Sequence, residues 1–226
     1  MDDLGKRSNP RVVVLRGNGK HFQAGADLTW LREVGRRSEE ENVRISRATA
    51  EATHRLNTLP VPTVALVQGG CFGGGTGFVA VCDVAIAADD AIFSISETRW
   101  GLMAGIIIPQ LADAMGVRQV RRYALTGERF DAHEARRIGL VHEVVPRAEL
   151  EMAGERFVSQ LLQNAPDACA QTKAVTLESA WGHLTGSALT RLIAQHAAKR
   201  RSDEAAEGLA SFVEKRPARW SPGAQS

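Results

Sequence analysis

The segment CFGGGTGFVAVCD, residues 71–83, concentrates glycine beside an apolar run, with four glycines between residues 73 and 77. Each glycine inside a helix or strand costs roughly 0.5–1 kcal/mol relative to alanine. This cost indicates that the backbone itself has a task here. Backbone N–H groups at the start of a helix are unpaired, and the helix dipole there favours negative charge. The alternative is a flexible turn before a packed helix.

A single acidic residue, Glu97, stands in the segment SISETRWGL, residues 94–102, a short distance after the glycine run. It follows a predicted strand and precedes further glycines at 101 and 105. A positioned carboxylate can act as a general acid or base. The alternative is an exposed acidic turn residue beside Arg99.

The composition of the chain argues against several classes of binding partner. The 226 residues carry a net charge of +2 and 24% charged residues, without a long basic run, so we expect no nucleic-acid partner. No apolar stretch is long enough to span a membrane, and the polar N-terminus does not resemble a signal peptide. The three cysteines, an odd number without metal-ligand spacing, predict reduced thiols, no metal and a cytoplasmic location.

The elements that must position these residues alternate between strand and helix. Hydrophobic periodicity, turn residues and capping residues set the predicted bounds. The predicted strands are 11–17, 63–70, two within 84–96, and 140–145. The predicted helices are a short one near residue 27, then 39–59, 73–83, 117–126, 132–138, 148–163, 167–181, 186–200 and 203–215. This order predicts an α/β core over residues 1–146 and a helical region over residues 147–226.

Five segments in order resemble the crotonase (enoyl-CoA hydratase/isomerase) superfamily, and together they span nearly the whole chain. They are HFQAGADL (21–28), VQGGCFGGGTGF (67–78), CDVAIAADDAIFSISETRWGL (82–102), LTGERFDAHEARRIGLVHEVVP (125–146) and FVEKRPARW (212–220). The resemblance implies a spiral of ββα units with a helical C-terminal region that mediates trimerisation. It also implies an acyl-CoA thioester as substrate, with CoA arriving as part of that substrate and no separate cofactor.

The resemblance assigns roles to the residues of the opening segments. The backbone N–H groups of Ala26 and Gly74 match the family's oxyanion hole, and Glu97 matches one of two glutamates that handle water and a proton. Further matches to the substrate pocket are Ala24, Asp27, Leu28, Gly73, Gly77, Trp100 and Gly105. Phe212 and Lys215 match positions that meet the CoA of a neighbouring subunit in the family.

The sequence departs from the two-glutamate pattern at Gly77, where the family's hydratases carry the other glutamate. Hydratases of branched glutaconyl-CoA esters resemble this chain most closely and also have glycine there. We therefore expect Gly77 to widen the pocket for a branched acyl group. Gly77→Glu should then slow branched substrates and raise activity on crotonyl-CoA. Arg99 is a further candidate for a distal carboxylate of such a substrate.

The resemblance implies a homotrimer or a dimer of trimers. It leaves three activities open. They are hydration of an enoyl-CoA, Δ3-Δ2 isomerisation with one carboxylate, and acyl-CoA binding without catalysis. By comparison with usual family length we also expect roughly 40 further residues before strand 11–17. That strand should then lie at the edge of an incompletely filled sheet.

Overall fold

The computed structural model describes residues 10–164, 166–181 and 186–218. Its strands are β1 Val13–Arg16, β2 Thr63–Val67, β3 Gly70–Phe72, β4 Val84–Ala88, β5 Ile92–Ser94, β6 Phe130–Asp131 and β7 Glu143–Val145. Its helices are α1 Leu28–Gly35, α2 Glu39–Asn57, α3 Gly74–Ala80, α4 Ile108–Met115, α5 Val117–Thr126, α6 Ala132–Arg137, α7 Leu150–Leu162, α8 Pro166–Trp181, α9 Ser187–Arg200 and α10 Asp203–Val213. Short 3-10 turns span Glu97–Trp100 and Arg147–Glu149.

The main sheet is parallel and has the strand order β1-β2-β4-β7. Its register pairs Val14 with Val64 and Val64 with Val84. Every residue of β2 is buried, as expected for a central strand covered on both faces. The predicted α/β class is confirmed.

A smaller sheet has the order β3-β5-β6 and lies beside the glycine run. The sequence pattern predicted one strand over residues 63–70, and this is wrong. The backbone turns at Gly69, which has φ +56°, so β2 ends in one sheet and β3 begins in the other. The strands β2 and β3 followed by α3 form one ββα unit. In this unit the glycine run starts directly after β3, which is an edge strand of the smaller sheet.

Side-chain caps fix the ends of several helices. Ser38 accepts a hydrogen bond from the Glu41 N–H at the start of α2, and the Asp131 carboxylate accepts from the Glu134 N–H at 2.8 Å, which confirms the predicted cap of α6. Helix α4 was not predicted. The residues just before this helix are apolar as well, so hydrophobic periodicity alone did not show where the helix begins.

The helices after residue 150 pack onto the first half of the chain. α7 covers β2 and β4, α9 lies along α2, and α10 packs against α1 and the 3-10 turn that carries Glu97. The division at residue 146 and a role of this region in oligomerisation stay predictions. Among the described residues, no helix is both long and apolar enough to cross a membrane.

Strand β1 lies at one edge of the main sheet in the part of the chain described here, with β2 as its hydrogen-bonded neighbour. Its residues alternate between half-buried and exposed, and Val14 is 43% exposed. The expectation of an edge strand is confirmed. The expectation of further chain before it stays a prediction.

Candidate active site

A cavity of about 420 Å³ opens beside the smaller sheet, where Phe72 of β3 and Ser94 of β5 line it together with Phe212 of α10. Its walls come from five separate parts of the sequence. The lining residues are Ala24, Gly25, Ala26, Leu28, Leu31, Phe72, Gly73, Gly74, Ser94, Ser96, Glu97, Arg99, Trp100, Leu102, Gly127, Arg129 and Phe212. The cavity therefore contains the glycine run, the loop before α1 and the acidic turn together.

The loop that carries Ala26 is held against β3 by main-chain hydrogen bonds. The Gln23 N–H donates to the Gly70 carbonyl at 3.1 Å, and the Phe72 N–H donates to the Gln23 carbonyl at 2.9 Å. The Gln23 side chain then accepts from the Gly25 N–H at 2.8 Å. Within the described chain no acceptor is found for the Ala26 N–H, so this amide is available to a ligand in the cavity.

Gly73 precedes α3 in a backbone conformation that other residues rarely adopt, with φ +54° and ψ −126°. Its N–H donates to the Ser94 carbonyl at 2.9 Å, and its carbonyl accepts from the Thr76 hydroxyl at 2.7 Å. This turn leaves Gly74 as the first residue of α3, where an N–H has no partner within the helix. The Gly74 amide is thus the second free donor on the cavity wall.

The Glu97 carboxyl group lies against the Gly73 backbone. A Cβ on Gly73 would be only 3.1 Å from Glu97 Oε1, so glycine permits this approach. Glu97 Oε2 is buried and has no hydrogen-bond partner among the described residues. Burial raises the pKa of Glu97 from 4.5 to about 7, and a hydrogen bond from its own backbone offsets only part of that effect.

A second cavity of about 120 Å³ lies behind the same three residues. Ala26, Gly74 and Glu97 border both cavities. The remaining walls of the smaller cavity come from α1, α2, α3, α9 and the segment before α4, namely Trp30, Leu31, Thr49, Thr53, Phe78, Leu102, Met103, Ala104, Ile106, Ile107, His196 and Arg200.

Eight of the twelve residues matched to the site line the main cavity: Ala24, Ala26, Leu28, Gly73, Gly74, Glu97, Trp100 and Phe212. Three others lie off the walls of both cavities. Asp27 caps α1 by accepting from the Thr29 N–H at 2.8 Å, Gly105 faces the Met103 side chain, and Lys215 follows the end of α10 with φ +53°. The contact of Lys215 with the CoA of a neighbouring subunit stays a prediction, as do substrate-binding roles for Asp27 and Gly105.

The prediction that Gly77 widens the pocket is wrong. Gly77 is buried inside α3, and a Cβ there would lie 2.4 Å from Ile107 Cγ2 and 2.8 Å from Ile107 Cβ. The room left by the missing side chain is occupied by Ile107. Glycine at this position therefore serves the packing of α3 against the segment before α4, and a glutamate there would collide with that segment.

Phe212 lines the cavity of its own chain, and its contact with the CoA of a neighbouring subunit stays a prediction. Its ring meets Trp100 edge-on, with 5.0 Å between the ring centroids. His21 is a structural residue, since its Nδ1 accepts from the Gly70 N–H at 2.8 Å. His142 is structural for the same reason, because its Nδ1 accepts from the Ala85 N–H at 3.0 Å.

The sequence did not point to two sets of cavity residues. Gly127 and Arg129 reach the main cavity from the segment between α5 and β6, and the Arg129 guanidinium lies 5.6 Å from the Phe72 ring centroid. His196 and Arg200 reach the smaller cavity from α9. The one sequence signal for the second set is the spacing of His196 and Arg200, because residues four apart share one face of a helix.

The described residues contain no group of three or more histidine, cysteine, aspartate or glutamate side chains that could hold a metal ion. Cys71 and Cys82 are buried and unpaired, and burial raises the pKa of the Cys82 thiol to about 12. The groups on the cavity wall that can act in a reaction are the main-chain N–H donors of Ala26 and Gly74 and the carboxyl group of Glu97, which can change protonation near neutral pH.

Comparison with known proteins agrees with this geometry. The family described as enoyl-CoA hydratase/isomerase matches residues 2–223. A crystal structure of an enoyl-CoA hydratase from Shewanella pealeana is 36% identical, with a TM-score of 0.76 over 96% of this chain and 82% of that one. A mitochondrial Δ(3,5)-Δ(2,4)-dienoyl-CoA isomerase of Dictyostelium discoideum is 32% identical over 95% of this chain and 76% of its own length.

A mevalonyl-coenzyme A hydratase of Aspergillus fumigatus is 31% identical, over 93% of this chain and 78% of its own length. These relatives share the acyl-CoA chemistry that their names state and differ in the reaction. The fold, the order of the motifs and the family match agree along almost the entire sequence. The chain belongs to the enoyl-CoA hydratase/isomerase family and is an enzyme of the crotonase fold.

Proposed function

We propose that this enzyme adds water across the α,β double bond of an enoyl-CoA thioester, as a carbon–oxygen lyase. The thioester carbonyl is held by the N–H groups of Ala26 and Gly74, which stabilise the negative charge that develops on the oxygen. A single donor of this kind is worth about 2.7–4 kcal/mol of activation free energy. Both amides border the cavity and lack acceptors within the described chain.

Glu97 handles the proton. In its ionised form it accepts a proton from water as the water oxygen bonds to the β-carbon. The resulting enolate then takes that proton from Glu97 at the α-carbon, so the carboxylate is regenerated and the net change is addition of one water. One carboxylate is sufficient for this cycle, which fits the presence of glycine at the other family position.

One observation carries the proposal. Glu97 Oε2 is buried beside the free amides without a hydrogen-bond partner among the described residues, and its pKa is raised to about 7. A general acid–base group is most effective when its pKa lies near the working pH. A carboxylate that served only to stabilise the fold would be paired and would have an ordinary or lowered pKa.

Isomerisation of a double bond is the second candidate. It needs the same amides and the same carboxylate, which would remove a proton from one carbon and return it to another. The relative from Dictyostelium discoideum named as a dienoyl-CoA isomerase supports it. Binding of acyl-CoA without turnover is the third possibility, and an intact Glu97 argues against it.

For the substrate, we propose a branched glutaconyl-CoA type ester, on the strength of the motif resemblance. The pocket-widening argument at Gly77 no longer supports this choice. For the assembly, we propose a homotrimer or a dimer of trimers. Light scattering on the purified protein would measure the molar mass in solution.

The test is a substrate panel with purified enzyme. Hydration removes the absorbance of the enoyl thioester, whereas isomerisation of a Δ3 ester creates it, so a spectrophotometer separates the two reactions. The panel compares crotonyl-CoA with 3-branched glutaconyl-CoA. Loss of enoyl absorbance supports hydration. The proposal of hydration would be overturned if titration calorimetry detected acyl-CoA binding but no ester of the panel was turned over. The protein would then be an acyl-CoA-binding protein.

A further inference from the structure

Arg200, on helix α9, is a buried cation on the wall of the smaller cavity. The side chain is only 4% exposed. Its Nη2 donates to the Asn42 carbonyl at 2.8 Å and to the Ser46 hydroxyl. Its Nε is buried and has no partner among the described residues. No carboxylate of the described chain forms an ion pair with it.

His196 stands one helical turn before Arg200 and lines the same cavity. Its Nδ1 lies 3.0 Å from Ser46 Oγ. Because the Ser46 hydroxyl accepts from Arg200, its own proton is left to donate to His196 Nδ1. Burial and the neighbouring Arg200 lower the pKa of His196 to about 4, so the ring is neutral and keeps its proton on Nε2. The pair thus offers N–H donors and no acceptors.

The rest of this cavity is mostly apolar. Its two threonines donate their hydroxyl protons to helix carbonyls, from Thr49 to Ile45 and from Thr53 to Thr49. The one carboxylate on its walls is Glu97, at the entrance shared with the main cavity. A buried cation without a partner anion is costly to the fold, which suggests that an anion arrives with the ligand.

We propose that the smaller cavity takes the far end of an acyl chain that terminates in a carboxylate, bound by Arg200 and His196. This inference rests on the proposed function, since it takes the thioester to lie at Ala26 and Gly74 with the acyl chain directed past Glu97. The substrate class is then an acyl-CoA with a second, distal acid group. Arg200 replaces Arg99, which lines the main cavity, as the residue that recognises this group.

Arg200 also ties α9 to α2 through Asn42 and Ser46, and this could be its entire role. A purely structural residue would affect every acyl-CoA to the same extent. A recognition residue would affect only those with a distal carboxylate. The experiment must therefore compare two ligands that differ at the end of the acyl chain alone.

Titration calorimetry with glutaryl-CoA and pentanoyl-CoA provides this comparison. Both are saturated and have five acyl carbons, so they bind without turnover, and the result does not depend on whether the enzyme is a hydratase. We expect the wild type to bind glutaryl-CoA about 10- to 100-fold more tightly, the range for a hydrogen bond to a charged group. Arg200→Met should abolish the preference. The control is Arg201→Met, which alters an exposed neighbour paired with Glu39 at 3.3 Å and should leave it unchanged.

Two results would overturn the inference. One is a wild type that binds the two ligands equally or prefers pentanoyl-CoA, and this result needs no variant. The other is an Arg200→Met protein that keeps the wild-type preference or weakens both ligands alike. Preference for glutaryl-CoA in an enzyme that hydrates no enoyl-CoA would uphold the distal site while the proposed reaction failed.

Discussion

At the scale of single residues, the sequence locates Glu97, but the fold determines its chemistry. The sequence places an acidic residue after a strand, but its pKa depends on burial, and burial depends on Gly73 and on the segments that enclose the cavity. Removal of water raises the pKa of Glu97 to about 7 because a charged carboxylate loses its solvation. A surface glutamate of the same sequence context would titrate near its ordinary value.

This pKa predicts the pH dependence of the reaction. The ionised carboxylate is the form that accepts a proton from water. As pH falls through about 7, Glu97 becomes protonated and kcat/KM should decline tenfold per pH unit, because kcat/KM reports the ionisation of the free enzyme. A pH–rate profile measures it. A profile that stays flat from pH 8 down to pH 5 would contradict the assignment.

Gly73 gives a second prediction at this scale. Gly73→Ala should lower the free energy of unfolding by about 1–3 kcal/mol, since a side chain is strained at φ +54°. It should also lower kcat because the new methyl group would displace the Glu97 carboxylate. Gly74→Ala is the matched control for folding, because a Cβ there meets nothing within 4 Å. Denaturation of both variants tests this, and equal unfolding free energies would contradict it.

At the scale of elements, the sequence predicted the helices and strands better than their contacts. The capping residues and apolar spacing located α2, α5 and α6. The break between β2 and β3 was missed because both segments are apolar, and the turn is made by the backbone at Gly69. The packing partner of Gly77 was also missed, since Ile107 lies thirty residues further along the chain.

The contact between α3 and the segment before α4 is testable through that pair. Gly77→Ala should destabilise the fold by about 1–3 kcal/mol through overpacking, because its Cβ would lie 2.4 Å from Ile107 Cγ2. Ile107→Ala removes the closest of these contacts, the one to Cγ2, keeps the one to Cβ at 2.8 Å, and leaves a cavity of its own. The double variant should therefore be more stable than the sum of the two single effects, by about 0.5–3 kcal/mol. Strict additivity in chemical denaturation would refute this contact.

At the scale of the whole molecule, the substrate cavities combine distant parts of the chain. α10 closes the main cavity against α1, and α9 closes the smaller one against α2. Local patterns do not reveal such pairings, which is why Ala26, Gly74 and Glu97 were found from sequence motifs while His196 and Arg200 were not. Ala26, Gly74 and Glu97 lie in the first half of the chain, whereas His196 and Arg200 lie in the second half.

Phe212 tests whether the C-terminal helix completes the pocket of its own chain. Phe212→Ala removes the edge-on contact with Trp100, a contact worth about 0.5–1.5 kcal/mol. We expect KM to rise about 2- to 10-fold while kcat changes little, because the ring lies on the wall and not at the reacting carbons. Val213→Ala, at a neighbouring exposed side chain, is the control. A KM equal to that of the wild type would show that Phe212 does not contribute to this wall.

The most direct test of the central claim is the kcat of Glu97→Gln on the best hydration substrate. The amide preserves the volume of the side chain and leaves both backbone donors in place, so acyl-CoA affinity should be retained and the melting temperature should not fall. General acid–base groups contribute about 10²–10⁴-fold to rates, and kcat should drop by a factor in that range. A folded variant that retains more than about a third of the wild-type kcat, far outside that range, would show that another group transfers the proton.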